Sequence, residues 1–383
     1  MKRSELVEAV YTCGSCGYCR FGCPVYQQVG FERVSVRGRM QFFKKLLEGK
    51  LDFDSCKDEL VEAIYQCAGC ENCTVECPTG IEFSPICEAL REDLVNRGLL
   101  PENLKPVRDT LIEKSNPYGE ARETRGSWIP KQHVPPKESK YLYFVSCTAA
   151  FSLNRVARSV VKILDDIGFE FTILGNEEEC CGSPLLRLGE MEAAKEQINK
   201  NVEKFDKYGV ETIFTACAGC YRTLSHYYPE DFKVLHTVQL FDKLIKEGKL
   251  VFDKEFPKKV LYFDGCDLGR HMDIYEEPRN ILRAIPGLEL VELDYNREKA
   301  VCCGGPLMGS FPDLAPNIAA EIVKEASEKG VELILTPCAT CMLNFKSGAG
   351  VADVQIDVQD IPMFIPKFIK KQEKPKPPEE SNP

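Results

Sequence analysis

The sequence predicts an α + α/β protein, with a helical N-terminal domain followed by two tandem α/β domains. Three observations predict it. Residues 1–100 hold two dense cysteine groups, Cys13, Cys16, Cys19, Cys23 and Cys67, Cys70, Cys73, Cys77, separated by helix-patterned segments. From residue 139 the chain repeats itself: YLYFVSC ending at Cys147 matches VLYFDGC ending at Cys266, and VETIFTACAGC ending at Cys220 matches VELILTPCATC ending at Cys341. Each copy alternates short apolar runs with helical stretches, the pattern of parallel sheets with right-handed crossovers.

In residues 1–100, Met40, Phe43 and Leu47 recur at helical spacing, as do Ile86, Leu90 and Leu94. Residues 101–138 carry six prolines and no strong periodicity, and read as a linker that wraps a surface or crosses to the next domain. The first α/β copy spans 139–255. YLYFV is its first strand, VARSVVKILDDIG a helix, FEFTIL a strand, MEAAKEQINKNVEKFDKYG a helix and ETIFTA a third strand. The second copy spans 256–369 and ends in the apolar IPMFIPKFI, expected to pack on its own domain. Residues 370–383, KKQEKPKPPEESNP, read as a disordered tail.

With 383 residues, 44% of them hydrophobic and 28% charged, the chain has the composition of a folded multidomain protein. A net charge of −10 argues against a nucleic-acid footprint. No apolar run approaches the roughly 18 residues that span a bilayer, and MKRSELVEAV lacks an apolar leader core, so a cytoplasmic protein is expected. Thiols there stay reduced, which turns the 20 cysteines toward metal rather than disulfides.

CGSCGYCRFGCP and CAGCENCTVECP both have the spacing C-x2-C-x2-C-x3-C-P. In this ferredoxin run three cysteines hold one cubane [4Fe-4S] cluster and the fourth reaches across to the other. Cys13, Cys16, Cys19 and Cys77 are thus assigned to one cubane, and Cys67, Cys70, Cys73 and Cys23 to a second. Zinc, the alternative, takes pairs of ligands rather than triplets followed by Cys-Pro. Two such clusters form a one-electron wire, and the long helical interval between the motifs resembles the iron–sulfur subunits of succinate dehydrogenase and fumarate reductase.

Each α/β copy adds a doubled cysteine, EEECCGSP at Cys180–Cys181 and AVCCGGP at Cys302–Cys303, 122 residues apart. Parallel sheets put their sites beyond the carboxyl ends of the strands, where five thiols per copy would meet. Four thiolates saturate a cubane. Two adjacent sulfurs can instead reach two irons of an unusual cluster, which makes Cys180, Cys181, Cys302 and Cys303 the candidate catalytic residues. Gly182 and Gly304, without a Cβ, are read as letting the backbone approach a bulky inorganic core. Ser183-Pro184 and Gly305-Pro306 read as helix starts.

Two copies of C…CCG…CxxC behind a two-cluster ferredoxin domain resemble the D-type catalytic subunit of membrane-linked heterodisulfide reductase, and the repeats resemble the B subunit of the soluble form, over roughly residues 5–365. The resemblance implies two Rossmann-like CCG domains, each holding a non-cubane [4Fe-4S] cluster. Cys147, Cys180, Cys181, Cys217 and Cys220 would hold one, and Cys266, Cys302, Cys303, Cys338 and Cys341 the other. It further implies cleavage of a disulfide such as that joining coenzymes M and B. The expected partners are a cytochrome b-type membrane subunit, which would attach the chain to the inner membrane face, or a flavoprotein. No G-x-G-x-x-G or Walker A motif occurs, so flavin and nucleotide are expected on a partner and not on this chain.

The competing function is electron transfer. Iron–sulfur subunits that serve glycolate, lactate and glycerol-3-phosphate dehydrogenases join the same domains and pass electrons from a flavin partner toward quinone. The RGRM at 37–40 resembles that group, whereas both intact CxxC pairs favour the disulfide reading. A third relative, a menaquinol or sulfite-reduction subunit, fits as well; a zinc-binding nucleic-acid protein fails on charge and spacing. His226 and His271 follow CxxC and strand-end cysteines and could donate protons to departing thiolates. Cys56 and Cys87 are read as buried free thiols, and Arg37-Gly38-Arg39 as a solvated helix start.

Overall fold

Ser35 opens the first long helix: its hydroxyl accepts the Gly38 N–H at 3.0 Å, capping Val36–Leu47. In this computed structural model, which describes residues 3–136 and 138–370, Met40 and Phe43 of that helix face the N-terminal core, while Leu47 is left 43% exposed at its end. Helices Lys57–Tyr65 and Phe83–Asn96 complete the core, with Ile86 and Leu94 buried and Leu90 half-buried. The expected tail lies, apart from Lys370, outside the described residues.

The helix start at Arg37-Gly38-Arg39 is not solvated. Arg39 is 1% exposed, donates Nε–H to the Ala63 carbonyl at 2.7 Å and stacks over Phe83. A Cβ on Gly38 would collide with the Glu32 carbonyl, so this turn requires glycine. The periodicity test missed Arg39 because it counts apolar residues only, whereas a guanidinium can be buried where a carbonyl accepts from it and an aromatic face lies under it.

The linker is more ordered than its prolines suggest. It contains the helix Lys105–Lys114, with Pro106 within the first turn, where a missing N–H does no harm. Farther on it drives Trp128 into the core of the first α/β domain, edge-on to Tyr143.

Among the described residues seven strands follow: β1 Tyr141–Tyr143, β2 Thr212–Thr215, β3 Lys233–His236, β4 Lys259–Tyr262, β5 Glu289–Val291, β6 Leu333–Thr336 and β7 Asp357–Asp360. They form two parallel sheets, ordered β1-β2-β3 and β5-β4-β6-β7. The strand expected over 169–174 shrinks to a single parallel bridge from Thr172 to Leu142, in the position β5 takes beside β4. Its flank is taken by the linker, whose Pro136 carbonyl accepts the Thr172 hydroxyl at 2.7 Å; proline has no N–H to extend a ladder. The central strand β6 is buried at every position, as parallel strands covered on both faces are.

The two copies share one apolar core that runs from Trp128, Tyr143 and Phe214 to Phe263, Phe345 and Phe364. The IPMFIPKFI segment joins it: Ile361, Phe364 and Ile365 are fully buried, and the short helix Ile361–Phe364 packs on the helix Asn154–Asp166 of the first copy. The segment therefore fastens the copies together as well as closing its own domain.

Candidate functional site

All 20 cysteines are free thiols, and 18 of them fall into four groups. In the N-terminal domain the charges felt by Cys19 come from Cys13, Cys16 and Cys77, while those felt by Cys23 come from Cys70 and Cys67. The fourth cysteine of each run thus lies near sulfurs of the other run's triplet. Backbone N–H groups point at the sulfurs: Tyr26 to Cys23 at 3.5 Å, Gly69 to Cys67 at 3.4 Å, Ile81 to Cys77 at 3.4 Å. Burial pushes the Cys23 thiol up to about 12, against the opposing pull of Arg39. Cys16 is exposed, so the first group opens to the surface.

In the first α/β copy, β1 runs into Ser146 at φ +76°, and Cys147 then begins the helix Cys147–Phe151. Cys180 and Cys181 precede the six-residue helix Ser183–Leu188, and Cys217 is the N-cap of Ala218–Tyr227, with Cys220 in its first turn. The five buried sulfurs converge: Cys220 lies 3.3 Å from Cys181, and hydrogen bonds link Cys147 to Cys180 and Cys217 to Cys220. Hydrogen bonds from Cys180 and then Cys220 lower the Cys181 thiol to about 6.

The second quintet repeats this. Cys303 lies 3.1 Å from Cys341 and Cys266 lies 3.8 Å from Cys302, while Cys338 hydrogen-bonds Cys341. Gly304 N–H reaches the Cys302 sulfur at 3.4 Å and Gly305 N–H reaches Cys303 at 3.3 Å. Cys70 of the N-terminal domain is hydrogen-bonded to Cys302, which lowers Cys70 to about 7. The second ferredoxin group therefore abuts the second quintet directly. Gly182 and Gly304 are present for a different reason from the one expected. Both adopt left-handed φ, +94° and +79°, and a Cβ on Gly304 would press on Ile318 and the Ala315 carbonyl of the helix Leu314–Glu328 rather than on the sulfurs. Ser183 and Gly305 do begin helical turns, the second only three residues long.

Several site residues carry no motif. Arg125, in the linker, is fully buried; it donates to Glu178 at 2.5 Å and to the Cys147 sulfur at 3.4 Å. Glu178 also accepts the N–H groups of Val145 and Ser146, so one buried ion pair orders the turn that presents Cys147. The Ser115 hydroxyl accepts the Cys180 N–H at 2.8 Å. Arg270 donates to the Cys70 carbonyl at 2.7 Å and faces the thiols of Cys70, Cys266 and Cys302. Only Asp267, next to Cys266 at a strand end, carried a positional signal in the sequence. It holds Arg187 through both oxygens at 2.8 and 2.9 Å and Arg222 at 3.4 Å, and Arg222 reaches Glu88 at 3.3 Å. That chain of charges ties all three domains together.

The histidines stand apart. His271 is bound through Nε2 to the Gly69 carbonyl at 2.8 Å and lowered to about 4 by burial, and His226 lies exposed near the end of its helix. Neither lines the central cavity. Cys56 and Cys87 are buried, as expected, but Cys87 also hydrogen-bonds Cys67.

Between the two copies lies a cavity of about 280 Å³. Cys147, Cys181 and Cys217 reach its wall from one side, Leu307 and Met308 from the other, and the linker's Val107 and Tyr118 close it. No three Cys, His, Asp or Glu side chains among the described residues stand as a set for a single metal ion. A cluster asks instead for sulfurs spread around an inorganic core, in buried pockets where N–H groups and cations face the thiolates. The two quintets offer buried sulfurs of that kind, while the sulfurs of the two ferredoxin groups, Cys70 apart, are partly exposed and Cys16 lies at the surface.

Residues 141–225 and 260–346 each match the cysteine-rich domain family, and residues 9–81 match the 4Fe-4S dicluster domain family. The D-type subunit of dihydromethanophenazine:CoB–CoM heterodisulfide reductase from Methanosarcina acetivorans is 31% identical, over 92% of this chain and 92% of its own length; its Methanosarcina mazei counterpart is 31% identical over 91% of each. EtfAB:quinone oxidoreductase from Syntrophomonas wolfei is 30% identical over 77% of this chain and 44% of its own. A solved structure of a hypothetical protein from Helicobacter pylori shares the fold, with a TM-score of 0.57 at 12% identity over 91% of this chain and 72% of its own.

Proposed function

The chain belongs to the family of D-type heterodisulfide reductase subunits, and on that premise we propose that this iron–sulfur oxidoreductase subunit reduces a disulfide held between its two cysteine-rich domains. The observation that carries the proposal is the cavity where the two copies meet, lined by all five cysteines of the first buried quintet and by the turn at 305–309 that follows the doubled cysteine of the second. Cys13, Cys16, Cys19 and Cys77 would hold one cubane, and Cys67, Cys70, Cys73 and Cys23 the other. Cys147, Cys180, Cys181, Cys217 and Cys220 would hold one non-cubane cluster, and Cys266, Cys302, Cys303, Cys338 and Cys341 the second. When bound, such clusters supply electrons one at a time. The reaction breaks one S–S bond and forms two thiols, taking two electrons from a partner donor and two protons from solvent.

The chain's own residues prepare that reaction. Arg125 and Arg270 bring cations against buried sulfurs that must be thiolates to bind metal. The turn ordered by Glu178 positions Cys147, and the Cys70–Cys302 contact favours delivery from the N-terminal domain into the second quintet. The second copy's order, with β4 flanked by β5 and β6, is read as a shortened doubly wound sheet whose site lies at the switch point; in the first copy the bridge at Thr172 takes the place of β5. No described helix is long and apolar enough to cross a membrane, so a cytochrome b-type or flavoprotein partner would provide any membrane link and the electron supply.

The test is iron and acid-labile sulfide analysis with EPR of the purified complex, alongside viologen-driven disulfide reduction. About sixteen irons per chain, signals beyond those of two cubanes and turnover of a disulfide are expected; two cubane signals alone would reject the reading. A second reading, electron transfer to quinone, is favoured by the likeness to an EtfAB:quinone oxidoreductase and by the apolar cavity.

A further inference from the structure

We propose that Arg270 raises the electron affinity of the two cluster sites it bridges, the second ferredoxin group and the second quintet, and so makes the two quintets unequal. The inference rests on the ligand groups assigned above and not on the identity of the substrate. The internal repeat breaks at this position. Four residues after its strand-end cysteine the first copy carries Phe151 and the second carries Arg270, although the CCG and CxxC pairs are kept in both. Arg270 donates Nε–H to the Cys70 carbonyl at 2.7 Å, and its Nη1 donates to the carbonyls of Glu298, at 3.2 Å, and Ala300. The side chain therefore spans the seam at which Cys70 meets Cys302, and its guanidinium faces the sulfurs of Cys70, Cys266 and Cys302. Its Nη2 is buried without a hydrogen-bond partner, and no carboxylate among the described residues pairs with it.

The cation beside the first quintet is neutralised. Arg125 donates to Glu178 at 2.5 Å as well as to the Cys147 sulfur, so that pair carries no net charge. Asp267 does not separate the copies, because it faces Cys217 of one quintet and Cys303 of the other. Arg187 also faces Cys266 and Cys302, but both oxygens of Asp267 hold it. Arg39 and Arg91 face Cys67, so at the ferredoxin group Arg270 adds to a field that is already positive; between the quintets it makes the difference. Each electron added to a cluster places negative charge beside this partly buried cation, where the effective dielectric is well below that of water, and the cation favours the reduced form.

The experiment is a potentiometric titration of the cluster-loaded complex followed by EPR at fixed pH and ionic strength. Arg270→Gln should lower the midpoint of one cubane signal and of one quintet signal, each by at least tenfold in reduction equilibrium, about 59 mV for one electron, and leave the other cubane signal in place. Arg270→Lys keeps the charge and should recover at least half of either shift. Unmoved midpoints in the Gln variant at full iron content would overturn the inference, as would equal shifts in the Gln and Lys variants, which mark a merely structural role. Arg270→Met repeats the measurement if the Gln variant loses iron. Loss of iron from both neutral variants would also overturn the inference, since the guanidinium would then hold the pocket together rather than set its potential. An unsubstituted chain with two cubane signals alone would reject the ligand reading of the quintets, and with it their inequality, while the cubane midpoint still decides the role of Arg270.

Discussion

Arg125 and Glu178 form an ion pair with almost no solvent, 3% and 1% exposed, and the pair also touches the Cys147 sulfur. Removing the cation leaves Glu178 buried with only backbone donors. Arg125→Gln should therefore destabilise the protein by about 3 kcal/mol, read from urea unfolding, and should weaken iron retention in the first α/β domain. His236 gives a pH signature. It is fully buried, lowered to about 3 by desolvation, and its Nδ1 accepts the Val238 N–H at 3.3 Å as a helix cap. The folded state therefore holds it neutral, and unfolding takes up a proton below the ordinary histidine value of about 6.5. That stability is fully present above pH 6.5 and is lost as pH falls toward 3, by up to about 1.4 kcal/mol per pH unit. Urea midpoints of the unsubstituted protein and His236→Asn between pH 7 and 4.5 check this; parallel pH slopes would count against it.

Among the elements, the helix Ser183–Leu188 is stopped by Gly189 at φ +90°, where a Cβ would collide with the Arg91 backbone of the helix Phe83–Asn96. This glycine lets the N-terminal domain close on the first α/β domain, and the Tyr65 hydroxyl seals the contact on the Leu188 carbonyl. Gly189→Ala combines left-handed strain with that collision. It should lower stability by roughly 2 kcal/mol or more and separate the thermal transition of the N-terminal domain from the rest, visible by calorimetry. At this scale the sequence was read well where one period ruled, as in Val36–Leu47, and poorly where two demands met. FEFTIL has strand composition, yet proline-bearing linker takes its flank and leaves one bridge at Thr172. The linker helix Lys105–Lys114 was missed because its apolar face is short and its prolines suggest irregular chain.

Across the whole molecule, Asp267 gathers Arg187 from the first α/β domain, donates its own strand end from the second, and through Arg222 reaches Glu88 of the N-terminal domain. Arg187 and Arg222 together hold its carboxyl far below the usual range despite burial. Asp267→Asn keeps the shape and removes the charge that binds two guanidiniums. It should lower the thermal midpoint by about 5 °C or more and sharply reduce turnover, because the cavity lies where these domains meet. The same substitution should leave the far-UV spectrum nearly unchanged, since no helix or strand depends on that carboxylate.

The sequence by itself determined the residues that can carry chemistry: two ferredoxin runs, two CCG pairs and two CxxC pairs are local spacings, and a short-range pattern survives without knowledge of the fold. The motif itself also implies an exchange of Cys23 and Cys77 between the runs. Only the tertiary structure decided that Cys70 meets Cys302, that Arg125 and Arg270 bring charge to the sulfurs, and that a cavity lies beside the first quintet where the two copies meet. Those contacts join residues tens to hundreds of positions apart. They arise when the two α/β copies bury one common core and draw linker and helical domain against it, and no local spacing encodes that packing.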